Sequence, residues 1–254
     1  MQVTEHPILR TANLSKSFGS VSVLSSIDFH VDPNESLGLI GDNGAGKSTL
    51  MKILAGVYAP SGGEIFFNGA PVTFKNPQDA RAAGIEIIYQ DLALCNDLDV
   101  ASNIFLGRES TKNIGIARLL DRHGMMQEAR AALAELGADI APDQLVGSMS
   151  GGQRQLISVA RALQFSPKLL LMDEPTAALS NTKIHLLLDL VKNLKKKGIS
   201  VVFISHRFTD LIAVCDRIVA MREGKISAEI KPADTKPSDL MSIMQTALSG
   251  EEIL

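Results

Sequence analysis

Eight residues, Gly41-Asp42-Asn43-Gly44-Ala45-Gly46-Lys47-Ser48, restrict this chain more than any other stretch of it. They match G-x-x-x-x-G-K-[ST] and lie between an apolar run, Ser36 to Ile40, and a helical pattern that continues through Thr49 to Ala55. A strand, a glycine-rich loop and a helix in that order form a cradle for a triphosphate. Glycines let successive backbone N–H groups turn toward one point, and the helix N-terminus adds about half a positive charge. Lys47 then reaches the β and γ phosphates, and Ser48 offers a hydroxyl to Mg²⁺.

The remaining pattern suits a mostly parallel sheet covered by helices on both faces. Near-continuous apolar runs at Ser36 to Ile40, Ile85 to Tyr89, Lys168 to Met172, Ser200 to Ile204 and Arg217 to Met221 alternate with helical spacing. Ile8 to Asn13, Leu24 to Val31 and Glu64 to Asn68 read as antiparallel strands, the last flanked by Ser61, Gly62, Gly63 and Gly69. From Asp91 to about Ser148 the β pattern disappears, and Met126, Ala129, Leu133 and Leu136 form a helical stripe. Ser180 is a candidate N-cap for a helix burying Ile184, Leu187, Leu188, Val191 and Leu194. A last amphipathic helix carries Leu240, Ile243, Met244, Ala247 and Leu248 after Pro237 and a Ser238 cap. With 254 residues, 45% of them hydrophobic, one large α/β domain is expected.

Charge and composition narrow the partners. Lys plus Arg number 25 against 28 Asp plus Glu, so there is no global positive field for nucleic acid or anionic lipid. The Lys195-Lys196-Lys197-Gly198 run complements a helix dipole and stops the helix. Cys95 and Cys215 lie far apart without metal-ligand spacing, as ordinary reduced thiols would. Glu5, His6 and Pro7 interrupt the N-terminus where a signal peptide needs an apolar stretch, and no window reaches about 18 uncharged apolar residues. A cytosolic chain without a membrane span of its own is the expectation.

Two further segments carry chemistry. Leu169-Leu170-Leu171-Met172-Asp173-Glu174 ends a buried strand in two carboxylates, on the edge where ligands of such sheets bind. Asp173 is the candidate holder of Mg²⁺, and Glu174 the group that polarises an attacking water. Met149-Ser150-Gly151-Gly152-Gln153 opens a helix that runs through Ala160 to Leu163. It reads as a second anion site at a helix N-terminus, or as an ordinary Ser-Gly cap.

Taken together these segments closely resemble the ABC ATPase family, from about Leu9 to Gly224. The resemblance implies a P-loop NTPase (RecA-like) core, an antiparallel β subdomain and an inserted helical subdomain. The expected layout is one ABC ATPase domain over 1–254. Within it, 1–90 and 159–230 form the β layer and nucleotide-binding core, 91–158 the helical part with the signature, and 231–254 a C-terminal helix. It also implies that Gln90 contacts Mg²⁺ and the membrane partner, that Ser150 to Gln153 are the signature, and that His206 contacts the γ-phosphate. Phe18 matches the aromatic that stacks on adenine, although a phenylalanine there also fits a hairpin core. Two residues depart from the pattern: Met149 stands where leucine is usual, and Ser180 where aspartate is.

By the same resemblance the ligand is ATP with Mg²⁺, and the phosphate loop of one subunit meets the signature of another in a homodimer. Transmembrane permease subunits, and through them a periplasmic or extracellular solute-binding protein, complete the assembly on the cytoplasmic face of the inner membrane, with no nucleic acid. Thr49 to Tyr58, Ile87 to Asp91 and Asn103 to Glu109 look like the bacterial monosaccharide importers of the ribose, xylose and fructose type. Many of those fuse two ATPase units, whereas this chain carries one phosphate loop. A soluble ABC ATPase acting on nucleic acid or ribosomes is the alternative.

Overall fold

A computed structural model describes residues 6–114, 117–177, 179–235 and 237–249. Sequence expectations on Met1 to Glu5, Ala178 and 250–254 lie outside them. The chain begins with β1 (Leu9–Phe18), β2 (Val21–Ile27), β3 (His30–Val31) and β4 (Ser36–Gly41), then α1 (Lys47–Leu54). It continues through β5 (Gly62–Phe67), β6 (Ala70–Val72), α2 (Pro77–Ala83) and β7 (Ile85–Ile88). Next come α3 (Val100–Phe105), the hairpin β8 (Thr111–Ile114) and β9 (Ala117–Leu120), α4 (Arg122–Glu135) and α5 (Gly151–Leu163). The last part holds β10 (Leu169–Asp173), α6 (Asn181–Lys196), β11 (Ser200–Ile204), α7 (Phe208–Val214), β12 (Arg217–Arg222), β13 (Lys225–Ile230) and α8 (Pro237–Ser249).

Six strands form the central sheet in the order β13-β12-β4-β11-β10-β7, all parallel except β13. Side chains alternate across a strand with period two, and here both faces are covered. Leu169 and Leu171, Val202 and Ile204, and Val219 and Met221 therefore enter one core, which they share with α1 and the antiparallel sheet. Leu170 and Met172, Val201 and Phe203, and Ile218 and Ala220 enter the opposite core, beneath α6, α7 and α8. This double burial is why the strands read as continuous apolar runs. The antiparallel layer has the order β2-β1-β5-β6, with β3 also paired to β1.

A third core lies between α3, α4 and α5, built on Val100, Ile104, Phe105, Met125, Ala129, Leu133, Val146 and Met149. Met125 is fully buried in α4, and the stripe residues Met126 and Leu136 pack at its margin. The helix α5 straddles two cores: Ile157 and Ala160 face the third, Val159 and Ala162 the sheet. The boundary drawn at 158 from sequence falls inside it.

Two expectations are corrected and one is refined. The segment from Asp91 to Ser148 does contain β structure, the hairpin β8–β9, paired Thr111 to Leu120 and Lys112 to Leu119. Its strands are four residues each and expose Leu119 and Leu120, so no buried alternation betrays them. Ser180 does occupy the N-cap of α6, but its side chain makes no capping bond. Pro237 opens α8, which places Ser238 inside the first turn rather than at its cap. The lysine run behaves as a helix end: Lys195 pairs with Asp216, Lys197 with Glu135 at 3.1 Å, and Gly198 follows at φ +84°.

Candidate nucleotide-hydrolysis site

The four neighbouring strands β4, β11, β10 and β7 run in one direction, so their C-terminal ends share an edge of the sheet. The loop Asp42–Gly46 leaves β4 there, Asp173 and Glu174 end β10, Ser205 and His206 follow β11, and Gln90 follows β7 by two residues. Sequence positions spread over more than half the chain thus converge where a parallel sheet binds ligands.

The loop itself is held open by backbone geometry. The Ala45 amide donates to the Asp42 carbonyl at 3.1 Å, and Gly46 caps α1 at φ +99°. A β-carbon on Gly46 would stand 2.6 Å from Leu24 Cδ2 and 3.0 Å from the Val23 carbonyl oxygen, so only glycine fits. Asp42, Asn43 and Gly44 are exposed, while Ala45, Gly46 and Lys47 are buried. Lys47 Nζ donates to the carbonyls of Gly41 at 2.6 Å and Asp42 at 3.0 Å. Burial pushes its pKa down, against the opposing fields of Glu174, Asp173 and Asp42. A partly desolvated cation beside exposed amides is the electrostatic complement of a triphosphate.

On the facing strand, the Asp173 carboxylate accepts a hydrogen bond from the Ser48 side chain, and its Oδ1 is buried without a partner. Burial raises its pKa; the Ser48 bond, Lys47, Lys52 and His206 oppose the rise. An unpartnered carboxylate oxygen next to a hydroxyl fits a hard divalent cation. Among the described residues no three His, Cys, Asp or Glu gather as a metal cage. Mg²⁺, which takes few protein ligands and fills its shell with water and phosphate oxygens, suits such a site.

The folded-state rise at Asp173 has a sign that can be tested. A carboxyl that holds its proton more tightly when folded costs stability above its unfolded pKa; the cost grows up to the folded pKa and is constant beyond it. Asp173→Asn should therefore raise Tm at neutral pH. The gain should fade as pH falls through the ordinary aspartate pKa of about 3.9, and vanish only well below it, where both states are protonated. Thermal melts at pH 7.5 and at the lowest pH that keeps the fold check it; a lower Tm for the variant at neutral pH contradicts the sign.

Glu174 adopts φ +54°, the left-handed region, with its amide donating to the Ile204 carbonyl at 3.2 Å. Holding a glutamate there costs about 1–2 kcal/mol and fixes the side chain's departure from the strand. Its Oε1 lies 2.7 Å from His206 Nε2. Burial raises the Glu174 pKa, His206 lowers it, Asp173 raises it and Lys47 lowers it. The sequence named Glu174 and His206 separately; their direct pairing is a product of adjacent parallel strands and has no local signal. Gln90 is exposed in the bend after β7.

Ser150 to Gln153 stand apart from this edge. Ser150 caps α5 in a reciprocal box: the Gln153 amide donates to Ser150 Oγ at 3.3 Å, and the Ser150 amide to Gln153 Oε1 at 3.0 Å. Ser150 and Gly151 are exposed; Gly152 is buried, and a β-carbon there would lie 2.7 Å from Lys183 Nζ. Met149 fills the third core, as the usual leucine would. The helix α5 packs on α3, α4 and β7, and β7 is three strand spacings, about 14 Å, from the β4 that feeds the phosphate loop.

Phe18 ends β1 with its ring 43% exposed. It meets Tyr58 edge to face at 5.2 Å, and Lys16 Nζ lies 4.9 Å from its centroid. It is thus a surface residue, not a hairpin-core one. Sequence reasoning missed Tyr58 and Lys16 as its companions, because Tyr58 follows α1 and approaches only in the fold.

The sequence profile of the ABC transporter family matches residues 24–177. The chain is 44% identical over 246 residues to a xylose/arabinose import ATP-binding protein of Sulfolobus acidocaldarius, covering 96% of each. It is 43% identical over 251 residues to a fructose import ATP-binding protein of Rhizobium meliloti, again over 96% of each. A ribose import ATP-binding protein of Geobacillus kaustophilus is 41% identical over 239 residues; 94% of this chain spans 48% of that protein. Among solved structures, a nucleotide-free ATP-binding cassette from an ABC transporter superimposes with TM-score 0.82 at 27% identity, over 94% of this chain and 96% of that one. An ADP-bound cassette gives 0.79 at 28% identity, over 94% and 95%. By profile, sequence and fold alike, this chain belongs to the ABC transporter family, as one of its ATP-hydrolysing cassettes.

Proposed function

We propose that this chain powers the import of a monosaccharide, with two copies clasping two ATP molecules between the phosphate loop of one and the Ser150 helix end of the other. The observation that carries the clasp is the separation of the two anion-binding helix ends within one chain: Lys47 and its loop leave β4, whereas Ser150 hangs on α5 beyond the edge strand β7. A two-fold pair brings the signature of each copy to the loop of the other, because an isologous interface presents the same two patches in exchange. The sugar assignment is supported by the xylose/arabinose, fructose and ribose import proteins that the chain resembles. Those relatives favour transport over an action on nucleic acid.

In this scheme Gly41 to Thr49 cradle the triphosphate, and the exposed Phe18 stacks on the adenine. Asp173, Ser48 and Gln90 hold Mg²⁺, whose chemistry is to neutralise charge on the β and γ phosphates. Glu174 accepts the proton of the attacking water; the water oxygen bonds to the γ-phosphorus, the bond to the β–γ bridging oxygen breaks, and ADP and phosphate leave. His206 orients Glu174 through their 2.7 Å contact and faces the γ-phosphate. Loss of the γ-phosphate opens the pair, and segments near Gln90 pass the motion to transmembrane permease subunits that receive sugar from a solute-binding protein. No helix among the described residues is long and apolar enough to cross a membrane. A peripheral subunit on the cytoplasmic face of the membrane is the reading that the import ATP-binding relatives support.

Uptake of labelled pentoses and hexoses tests the assignment. A strain lacking the gene should lose uptake of at least one sugar, recover it with the intact gene and fail to recover it with a Glu174→Gln copy. Unchanged uptake of every sugar in the deletion strain would sink the proposed cargo class.

A further inference from the structure

Past β7 the chain crosses from the sheet to the helical unit, and the first segment on the far side is fastened there by side chains of α3 and α5. Asn103 of α3 bonds both the amide of Cys95, at 2.8 Å, and its carbonyl, at 3.0 Å. Leu94 packs against the third core. Arg161, near the end of α5, donates from Nη2 to the Leu92 carbonyl at 2.8 Å and from Nη1 to the Ala93 carbonyl at 2.9 Å. Ala93 sits at φ +48°, a conformation disfavoured for alanine, so something outside the residue must hold it.

The charges around Arg161 explain why its donors go to backbone. Glu86 on β7 is an acid whose field reaches it, but that carboxylate already accepts from Arg108 and lies 3.8 Å from Arg81 Nε. Arg108 is itself fixed over the Phe165 ring at 4.1 Å. Arg81 repels the Arg161 guanidinium, while Glu86 attracts it. With the carboxylate occupied, the planar fork of Arg161 reaches the two successive carbonyls from two separate nitrogens, a fixed spacing that a single ammonium nitrogen does not reproduce. The same helix starts with the signature: Ser150 and Arg161 are eleven positions apart, about 16 Å along its axis.

We infer that Arg161 is a positioning residue that ties the loop after Gln90 to the signature helix, so that Gln90 reaches the nucleotide only in step with Ser150. This rests on the roles given above to Gln90 and Ser150. The helix α5 is the rigid rod, the two carbonyl bonds are its grip on the loop, and Gln90 is the exposed residue two positions before that grip.

The test is a mutant cycle on the full chain, read by steady-state ATPase activity and by equilibrium binding of ATP to the isolated subunit. Arg161→Met should lower kcat about tenfold and Arg161→Lys less, both with subunit affinity for ATP within about twofold, since the phosphate loop is untouched. Gln90→Ala should cost about 30-fold in kcat when Arg161 is present and only about threefold on Arg161→Met, a non-additivity typical of residues acting as a unit. If Arg161→Met does not fold, Arg161→Lys carries the same cycle, because it keeps the charge and the stem. A purely structural arginine would scale the active fraction and leave the full cost of Gln90→Ala in both backgrounds; that result, or wild-type kcat in Arg161→Met, overturns the inference alone. A Gln90→Ala variant with undiminished turnover would overturn both the inference and the role given to Gln90.

Discussion

Glu174→Gln is expected to keep ATP bound while turnover falls 10²- to 10⁴-fold, about 3 to 5 kcal/mol of barrier. The substitution preserves the volume and the left-handed backbone at φ +54° but removes the oxygen pair that accepts a proton. Two observations make the carboxylate suited to that task. His206 Nε2 at 2.7 Å fixes its direction, and burial raises its pKa toward the working range of a general base. The acid limb of the pH–rate profile should accordingly lie above that of a solvated carboxyl and disappear in the variant. Equilibrium nucleotide binding and single-turnover kinetics separate the two effects, and near-normal hydrolysis by Glu174→Gln would remove this residue from the reaction.

Lys47→Met is expected to fail one step earlier, at binding. The ammonium sits buried beneath the loop, held by the Gly41 and Asp42 carbonyls, where the effective dielectric is low. A unit charge about 4 Å from a phosphate oxygen is worth about 4 kcal/mol at an effective dielectric of 20, so ATP affinity should fall about 10²- to 10³-fold. Methionine keeps most of the stem's packing and removes a charge that burial already disfavours, so the melting temperature should hold or rise. Isothermal titration with ATP and a thermal melt of the same sample check both halves. Retained affinity would mean that loop amides alone hold the triphosphate.

The parallel core was legible because both its faces are buried: runs such as Leu169 to Met172 and Val201 to Ile204 have no polar residue to obscure their limits. The phosphate loop was legible because its glycines are demanded by sterics, as the crowding around Gly46 by Leu24 and Val23 shows. The hairpin β8–β9 was not, since its exposed four-residue strands lack any buried face. Nor were the pairings Glu174–His206, Phe18–Tyr58 and Arg161 with Leu92 and Ala93, which join residues 32, 40 and 69 or 68 positions apart. Such contacts follow from strand order and helix placement, which no local spacing encodes. Ser180 was named for its residue type, but a favourable cap residue donates or accepts only if the loop before it turns the right way.

The strict alternation of β10 between two cores also fixes how this enzyme can change length. One residue inserted into Leu169–Asp173 would exchange the Leu169/Leu171 set with the Leu170/Met172 set and swing Asp173 off the catalytic edge, so indels in the sheet are lethal to both packing and chemistry. Thr111 to Asn113 and Arg118 to Leu120 of the β8–β9 hairpin are exposed, which makes that hairpin the natural place to graft a reporter, an affinity tag or a new recognition loop without disturbing hydrolysis.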